Sequence, residues 1–301
     1  MESLLTLTSS LAGTRLRDYT TEVTWRRIMN YAAAVGDRNA VYFDDERPGG
    51  VLAPPMFAAA VTWPVSERLW EYVESQNVPR EVFAMQVHYT EHLLLHRLVR
   101  AGDILTIKGA LAAVCPHKTG SLVTIRYRAE DEQGEPVFTE YMGGLLRGVR
   151  CSGEAKIAEA LPVTPKYGGD DQKMWETTIF VDALAPFVYD GCANIFFPIH
   201  TSPSFAHKVG LPGIILQGTA TLAYAVREIV NQEAGGDPES LLSIGCRFTG
   251  MVFPDSEIRV CLVARQSDED GMIVFFTVVN AESAPVISDG YARIRRHPPY
   301  R

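Results

Sequence analysis

The chain has 301 residues, 47% of them apolar and 21% charged, with a formal net charge of −8. That is the make-up of a globular protein with a full-sized core in one or two domains. The negative charge argues against a nucleic-acid binder, which carries a basic face, and no run approaches the roughly 20 apolar residues that span a bilayer.

The N-terminal MESLLTLTSS has leucines but no basic segment before them, so no cleaved secretory signal is expected. TWRRIMNYAAAVG places Trp25, Ile28, Met29 and Ala32 at helical spacing and stops on Gly36. VHYTEHLLLHRL follows in a strand-and-turn context. Its His88, His92 and His96 recur every four residues, but a strand does not hold them as a helical face would. No Cys or carboxylate cluster joins them, so no metal is expected. Gly102-Asp103 forms an acidic turn before an alternating strand, and GSLVTIRYRAEDEQGEPVFTEYMGG reads as two strands around a polar turn. RCSGEAKIAEALPVTPKYGGDDQK is polar, aperiodic and rich in Pro and Gly, the pattern of a linker.

The second half repeats the order of the first. GTATLAYAVREIVNQEAGG is a helix with apolar residues on most sides, ended by Gly235-Gly236. Pro254-Asp255 again precedes an alternating strand, and GMIVFFTVVNAESAPVISDGYARI again reads as two strands around a turn. The basic tail RIRRHPPYR reads as the end of the last strand. The domain expectation is an N-terminal unit over 1–150, a linker over 151–172 and a C-terminal unit over 173–301, meeting as a pseudo-dimer within one chain. Such a pair can stop there or associate again as a homodimer. The five dispersed cysteines (Cys115, Cys151, Cys192, Cys246 and Cys261) fit neither a disulfide framework nor a zinc site, and they predict a reduced, cytoplasmic protein.

The order YAAAVGDRN, APPMFAA, then PIHTS, GLPGIILQGTATLA and RFTGMVFPDSEIRV resembles the MaoC-like (R)-specific enoyl-CoA hydratase/dehydratase family, and most closely its double-hotdog members. The resemblance implies an α+β double hotdog: two fused units, each a long central helix wrapped by an antiparallel sheet. It further implies a hydro-lyase of fatty acid metabolism that adds or removes water at the 2,3-position of an acyl-CoA or other acyl thioester, without a cofactor. The family motif is Gly-Asp-x-Asn-Pro-Leu/Ile-His, followed by a His-Gly pair at the start of a helix. Its aspartate and histidine hold the water, and a backbone N–H polarises the thioester carbonyl.

Carried over residue by residue, the motif is split. The C-terminal half keeps Pro198, Ile199, His200 and Gly218, but has Ile195 for the aspartate, Phe197 for the asparagine and Gln217 for the histidine before the glycine. The N-terminal half keeps Gly36, Asp37 and Asn39, but has Tyr42 for the histidine. The family architecture implies that these loops serve two different pseudo-sites, so Asp37 and His200 are not expected to share a water.

His200 is the leading acid/base candidate because an imidazole titrates near neutral pH, and Thr201 or Ser202 is available to cap the next helix in its place. Asp37 is the second catalytic candidate, although a Gly-Asp-x-Asn turn also has Asx-turn chemistry of its own. Gly218 is the candidate oxyanion donor. Gln217, Asn39, Phe197 and Asn194 are candidate substrate contacts, and Asp190 or Asn194 could stand in for the missing aspartate. Phe196 and Phe197 either line an acyl pocket or fill a vacated site. Two other functions stay open: a hotdog thioesterase, and a catalytically silent acyl-CoA-binding protein.

Overall fold

A computed structural model describes residues 5–295 except 76, 77, 79, 84, 85, 169–172, 269 and 270. The start of the N-terminal segment, the last residues of the expected linker and the basic tail beyond Arg295 lie outside the described residues.

Ten strands form one continuous antiparallel path. Its first half runs Tyr19–Glu22, Ile104–His117, Gly120–Glu130, Pro136–Arg147 and Gln86–Leu95. Its second half runs Leu241–Phe248, Pro285–Arg295, Gly271–Val279, Ser256–Ser267 and Trp175–Val181. The halves join edge to edge, with Gln86–Leu95 paired to Leu241–Phe248 in the register Leu94↔Ser243 to Thr90↔Arg247. Each half holds its own central helix, Phe57–Glu67 and Gly218–Glu233. This is a double hotdog whose two sheets merge at the seam and leave no free strand edge there.

The two acidic turns sit where expected, with Gly102 at φ 90° and Asp255 at φ 59° just ahead of their strands. Burial drives the central helices. Ala220, Leu222, Ala225 and Ile229 are wholly buried in the second, and each large aliphatic side chain there contributes about 1.5–3 kcal/mol relative to exposure.

Three expectations need correction. The N-terminal central helix is not long: it covers 11 residues, is interrupted by Pro64, and continues only as short turns at Leu69–Tyr72 and Arg80–Phe83. The linker is not wholly irregular. Arg150–Ser152 pairs in parallel with Thr6–Thr8, and Lys156–Ile157 pairs with Ile104–His117, so the segment is pinned to the first unit. In the helix Trp25–Ala34, Trp25 faces solvent, and Ile28, Tyr31, Ala32 and Ala34 make the buried stripe. Tyr42, in the place of the motif's histidine, closes a 3-10 turn, Ala40–Tyr42, and is fully buried.

Candidate active site

Two equivalent loops project from the two halves. Each follows a helix, Trp25–Ala34 in the first half and Ala185–Ala193 in the second, and those helices pack together through Tyr31 and Tyr189. The tyrosine hydroxyls lie 3.4 Å apart and the ring centroids 5.8 Å. Each tyrosine stands six residues before the motif's aspartate position, so the pair marks the pseudo-two-fold between the units. Each helix then ends on a left-handed residue, Gly36 (φ 62°) and Asn194 (φ 55°), and each loop closes in a 3-10 turn, Ala40–Tyr42 and Pro198–His200. Asparagine tolerates the conformation that glycine takes freely. Asn194 therefore holds the family's glycine position, and its side chain is exposed.

In the first loop Asp37 is 5% exposed and its Oδ1 accepts the Asn39 N–H at 3.1 Å. Burial raises the Asp37 carboxyl above the ordinary carboxylate range, opposed by that hydrogen bond and by the charge of Arg227. Arg227 reaches across from the second central helix and donates to the Val35 carbonyl at 2.6 Å. A β-carbon on Gly36 would sit 3.1 Å from this guanidinium, a second reason for glycine besides the backbone. Asn39 is committed at both ends of its amide: Nδ2 donates to the Gly236 carbonyl at 2.6 Å and Oδ1 accepts the Val41 N–H at 3.3 Å. A cavity of about 10 Å³ beside Asp37, lined also by Tyr31, Pro54, Met56 and Arg227, has room for about one water. The Tyr42 hydroxyl is buried with no partner among the described residues.

In the second loop Ile195 is buried where Asp37 stands in the first. His200 Nδ1 lies 2.8 Å from the Ile215 carbonyl oxygen. A carbonyl can only accept, so Nδ1 carries the proton and Nε2 keeps its lone pair. Burial pushes the imidazole down to about 4, against the pull of the Ile215 carbonyl, so the ring is neutral at pH 7. No carboxylate contributes to that shift. Ser202, not His200, caps the helix Pro203–Lys208 by accepting the Phe205 N–H at 3.2 Å, which leaves His200 free of that structural duty. Phe197 stands edge-on to His200 at 6.5 Å and to Phe205 at 6.3 Å, while Phe196 is 46% exposed.

Three residues after Ile215, the second central helix opens. Gln217 is buried; its Nε2 donates to the Pro186 carbonyl at 3.0 Å, and its Oε1 has no partner among the described residues. Gly218 is the first helical residue, so its N–H has no acceptor within the helix. Asp190 is partly buried on the preceding helix, with Oδ1 likewise unpartnered among the described residues and its carboxyl raised by burial. The structure thus gathers His200, Gln217, Gly218 and Phe197 around one helix start, and Asp37, Asn39 and Tyr42 around the other loop. Among the described residues Asp37 and His200 have no partner in common.

The sequence reading missed Arg227, the Tyr31–Tyr189 pair, Phe248, and a buried group of His88, Glu91 and Glu140. The last carried a signal: Glu91 and Glu140 sit mid-strand in line with apolar residues two positions away (Leu93, and Phe138 and Met142), where a carboxylate is out of place. His88 and His92 lie on the strand Gln86–Leu95 and His96 follows its end; they bond separately to Glu91, Tyr291 and Thr139, and no metal-binding group exists among the described residues. The larger cavity, about 390 Å³, lies away from both loops, on the solvent side of strands Ile104–His117 and Gly120–Glu130.

Residues 192–284 match the family described as "MaoC like domain", and residues 10–140 match "FAS1-like, dehydratase domain region". A peroxisomal multifunctional enzyme type 2 from Drosophila melanogaster is 27% identical over 216 residues, which cover 71% of this chain and 35% of that protein. A peroxisomal enoyl-CoA hydratase 2 from Arabidopsis thaliana is 33% identical over 98 residues, 33% of this chain and 30% of that protein. The chain therefore spans about a third of the length of these two relatives. Among solved structures, a MaoC-like dehydratase from Phytophthora capsici superposes with a TM-score of 0.80 over 95% of this chain and 97% of that one. At 22% identity, that likeness establishes the fold.

Proposed function

We propose that this chain, which has the double-hotdog fold and matches the MaoC like domain over residues 192–284 and the FAS1-like dehydratase region over residues 10–140, is a hydro-lyase adding or removing water at the 2,3-position of an enoyl-CoA or related acyl thioester. The relatives' names support the reaction class, and the observation that carries the site assignment is His200. Its Nδ1–H is spent on the carbonyl of Ile215, three residues before the helix start that presents the Gly218 N–H, its Nε2 has no hydrogen-bond partner among the described residues, and the ring is neutral at pH 7.

One imidazole can carry the whole proton inventory. Nε2 takes a proton from water as the water oxygen bonds to C3. The electrons of the double bond move onto the thioester oxygen, where the Gly218 N–H meets the developing charge. The imidazolium then returns that proton to C2. One water is consumed, and H and OH are added on the face that His200 occupies. A low pKa makes His200 a modest base but a strong acid toward the enolate carbon. In this reading Ile195 replaces a carboxylate that a single-base route does not use, and Asp37 chiefly organises the first loop. A second reading places the water at Asp37, supported by the one-water cavity there.

The test is hydration of crotonyl-CoA and longer 2-enoyl-CoAs, followed by loss of enoyl absorbance and by product analysis. A 3-hydroxyacyl-CoA, formed in deuterium oxide with syn geometry across C2 and C3, is the expected outcome. Release of free thiol without hydration would identify a thioesterase. Thermal stabilisation by acyl-CoA with no turnover would identify a binding protein.

A further inference from the structure

Phe248 ends the seam strand Leu241–Phe248, and two of its ring carbons lie 3.2 Å from the point where a β-carbon on Gly218 would be. The ring therefore occupies the space beside the helix start. A thioester oxygen accepting the Gly218 N–H would bring C2 of the acyl group, one bond beyond the carbonyl carbon, within a methyl group's reach of that ring.

Phe248 also meets His88, with ring centroids 4.6 Å apart. His88 reaches this position through a backbone irregularity. The pairing of Gln86–Leu95 with Pro136–Arg147 shifts between His88 and Thr90, leaving Tyr89 as an extra residue. Such a bulge redirects side chains, and here it brings His88 to the buried side beside Glu91. His88 Nε2 lies 3.2 Å from the Thr90 carbonyl and 3.0 Å from Glu91 Oε2, which fixes that nitrogen as the protonated one.

Glu91 is wholly buried and Glu140 is 2% exposed. Glu91 Oε1 and Glu140 Oε2 have no hydrogen-bond partner within ordinary distance among the described residues. Each carboxyl acts on the other, Glu140 is also reached by the Thr62 side chain, and two carboxyl oxygens can bond only through a shared proton. Burial raises both above the ordinary carboxylate range, which keeps that proton in place. The result is a chain from Glu140 through Glu91 to His88 and so to the Phe248 ring.

We propose that Phe248 is a specificity-determining wall beside Gly218 that restricts the enzyme to acyl thioesters unsubstituted at C2, and that His88, held by Glu91 and Glu140, is its positioning residue. The inference rests on the second-half site being the working one. It accounts for a polar group buried at the seam, which the reaction itself does not use.

The experiment measures kcat/KM for a straight-chain 2-enoyl-CoA and for its 2-methyl counterpart, in the wild type and in the variants Phe248→Ala, Phe248→Leu, His88→Ala, Glu140→Leu and Glu140→Gln, with folding checked by circular dichroism. The wild type should prefer the unbranched substrate. Phe248→Ala should move the ratio toward the 2-methyl substrate by about tenfold or more, the scale on which a pocket resolves one carbon. Phe248→Leu should move it less. His88→Ala and Glu140→Leu should shift the ratio the same way, while Glu140→Gln, which still hydrogen-bonds Glu91, should restore it toward the wild-type value. A loss of stability alone would lower both substrates together. Folded Phe248 variants with an unchanged ratio, in an enzyme whose His200→Ala variant is inactive, would overturn this inference and leave the proposed reaction standing. Absence of hydration by the wild type on either substrate would overturn the proposed reaction and this inference with it.

Discussion

Replacing His200 by Gln should flatten the acid side of the protein's stability profile. The folded imidazole is pushed from its ordinary 6.5 down to about 4 by burial. The native state thus binds a proton less readily than the unfolded chain. The stability tied to this group is complete above pH 6.5 and drains away as the pH falls toward 4. A displacement of that size is worth at most about 3 kcal/mol, most of which is lost between pH 7.5 and 4.5. Urea unfolding of wild type and His200→Gln at those two pH values isolates the contribution, because the many carboxylates titrate in both proteins and cancel in the difference. The wild type should lose about 2–3 kcal/mol more than the variant over the interval. Parallel losses would mean that His200 is not held neutral by the fold, and the description of its environment would be wrong.

His88 is also pushed down to about 4 by burial, so His88→Asn should flatten the same acid limb; urea unfolding at the same two pH values checks it. Arg227→Met should cost about 1.5–3 kcal/mol by urea unfolding, because the Val35 carbonyl loses a charged donor at 2.6 Å. Adding Asp37→Asn should return part of that loss, since the buried carboxylate is then no longer left without its cation. Gly218→Ala should lower hydration about tenfold by crowding Phe248 at the oxyanion donor; thermal melting should move little, because alanine is otherwise a good helix residue.

The parts of the fold that were legible in the sequence follow local chemistry. The acidic turns, the paired strand runs and the glycine-stopped second helix all announce themselves through turn residues and periodicity. Pro64 and the scarcity of polar residues in Phe57–Glu67 hid the shorter central helix, since a helix buried on nearly all sides shows no amphipathic stripe. The site was legible as a list of residues but not as an arrangement. His200, Gln217 and Gly218 share one helix start because Ile215 closes the loop onto it, a contact 15 residues apart that spacing does not encode. Arg227 meets Val35 across 192 residues. Phe248 came to notice only through the bulge at Tyr89 and the seam between the sheets, which are matters of register and not of composition.

The split of the family's Asp/His pair between the halves makes one comparison decisive: kcat/KM for hydration of a short 2-enoyl-CoA by wild type, His200→Gln and Asp37→Asn, each confirmed to be folded. Chemistry at His200 predicts a loss of about 10²- to 10⁴-fold in the first variant, the range of general acid–base catalysis. It predicts a change of less than about threefold in the second, as for a residue away from the reacting atoms. Retained activity in His200→Gln together with its loss in Asp37→Asn would contradict the assignment and move the reaction to the first loop.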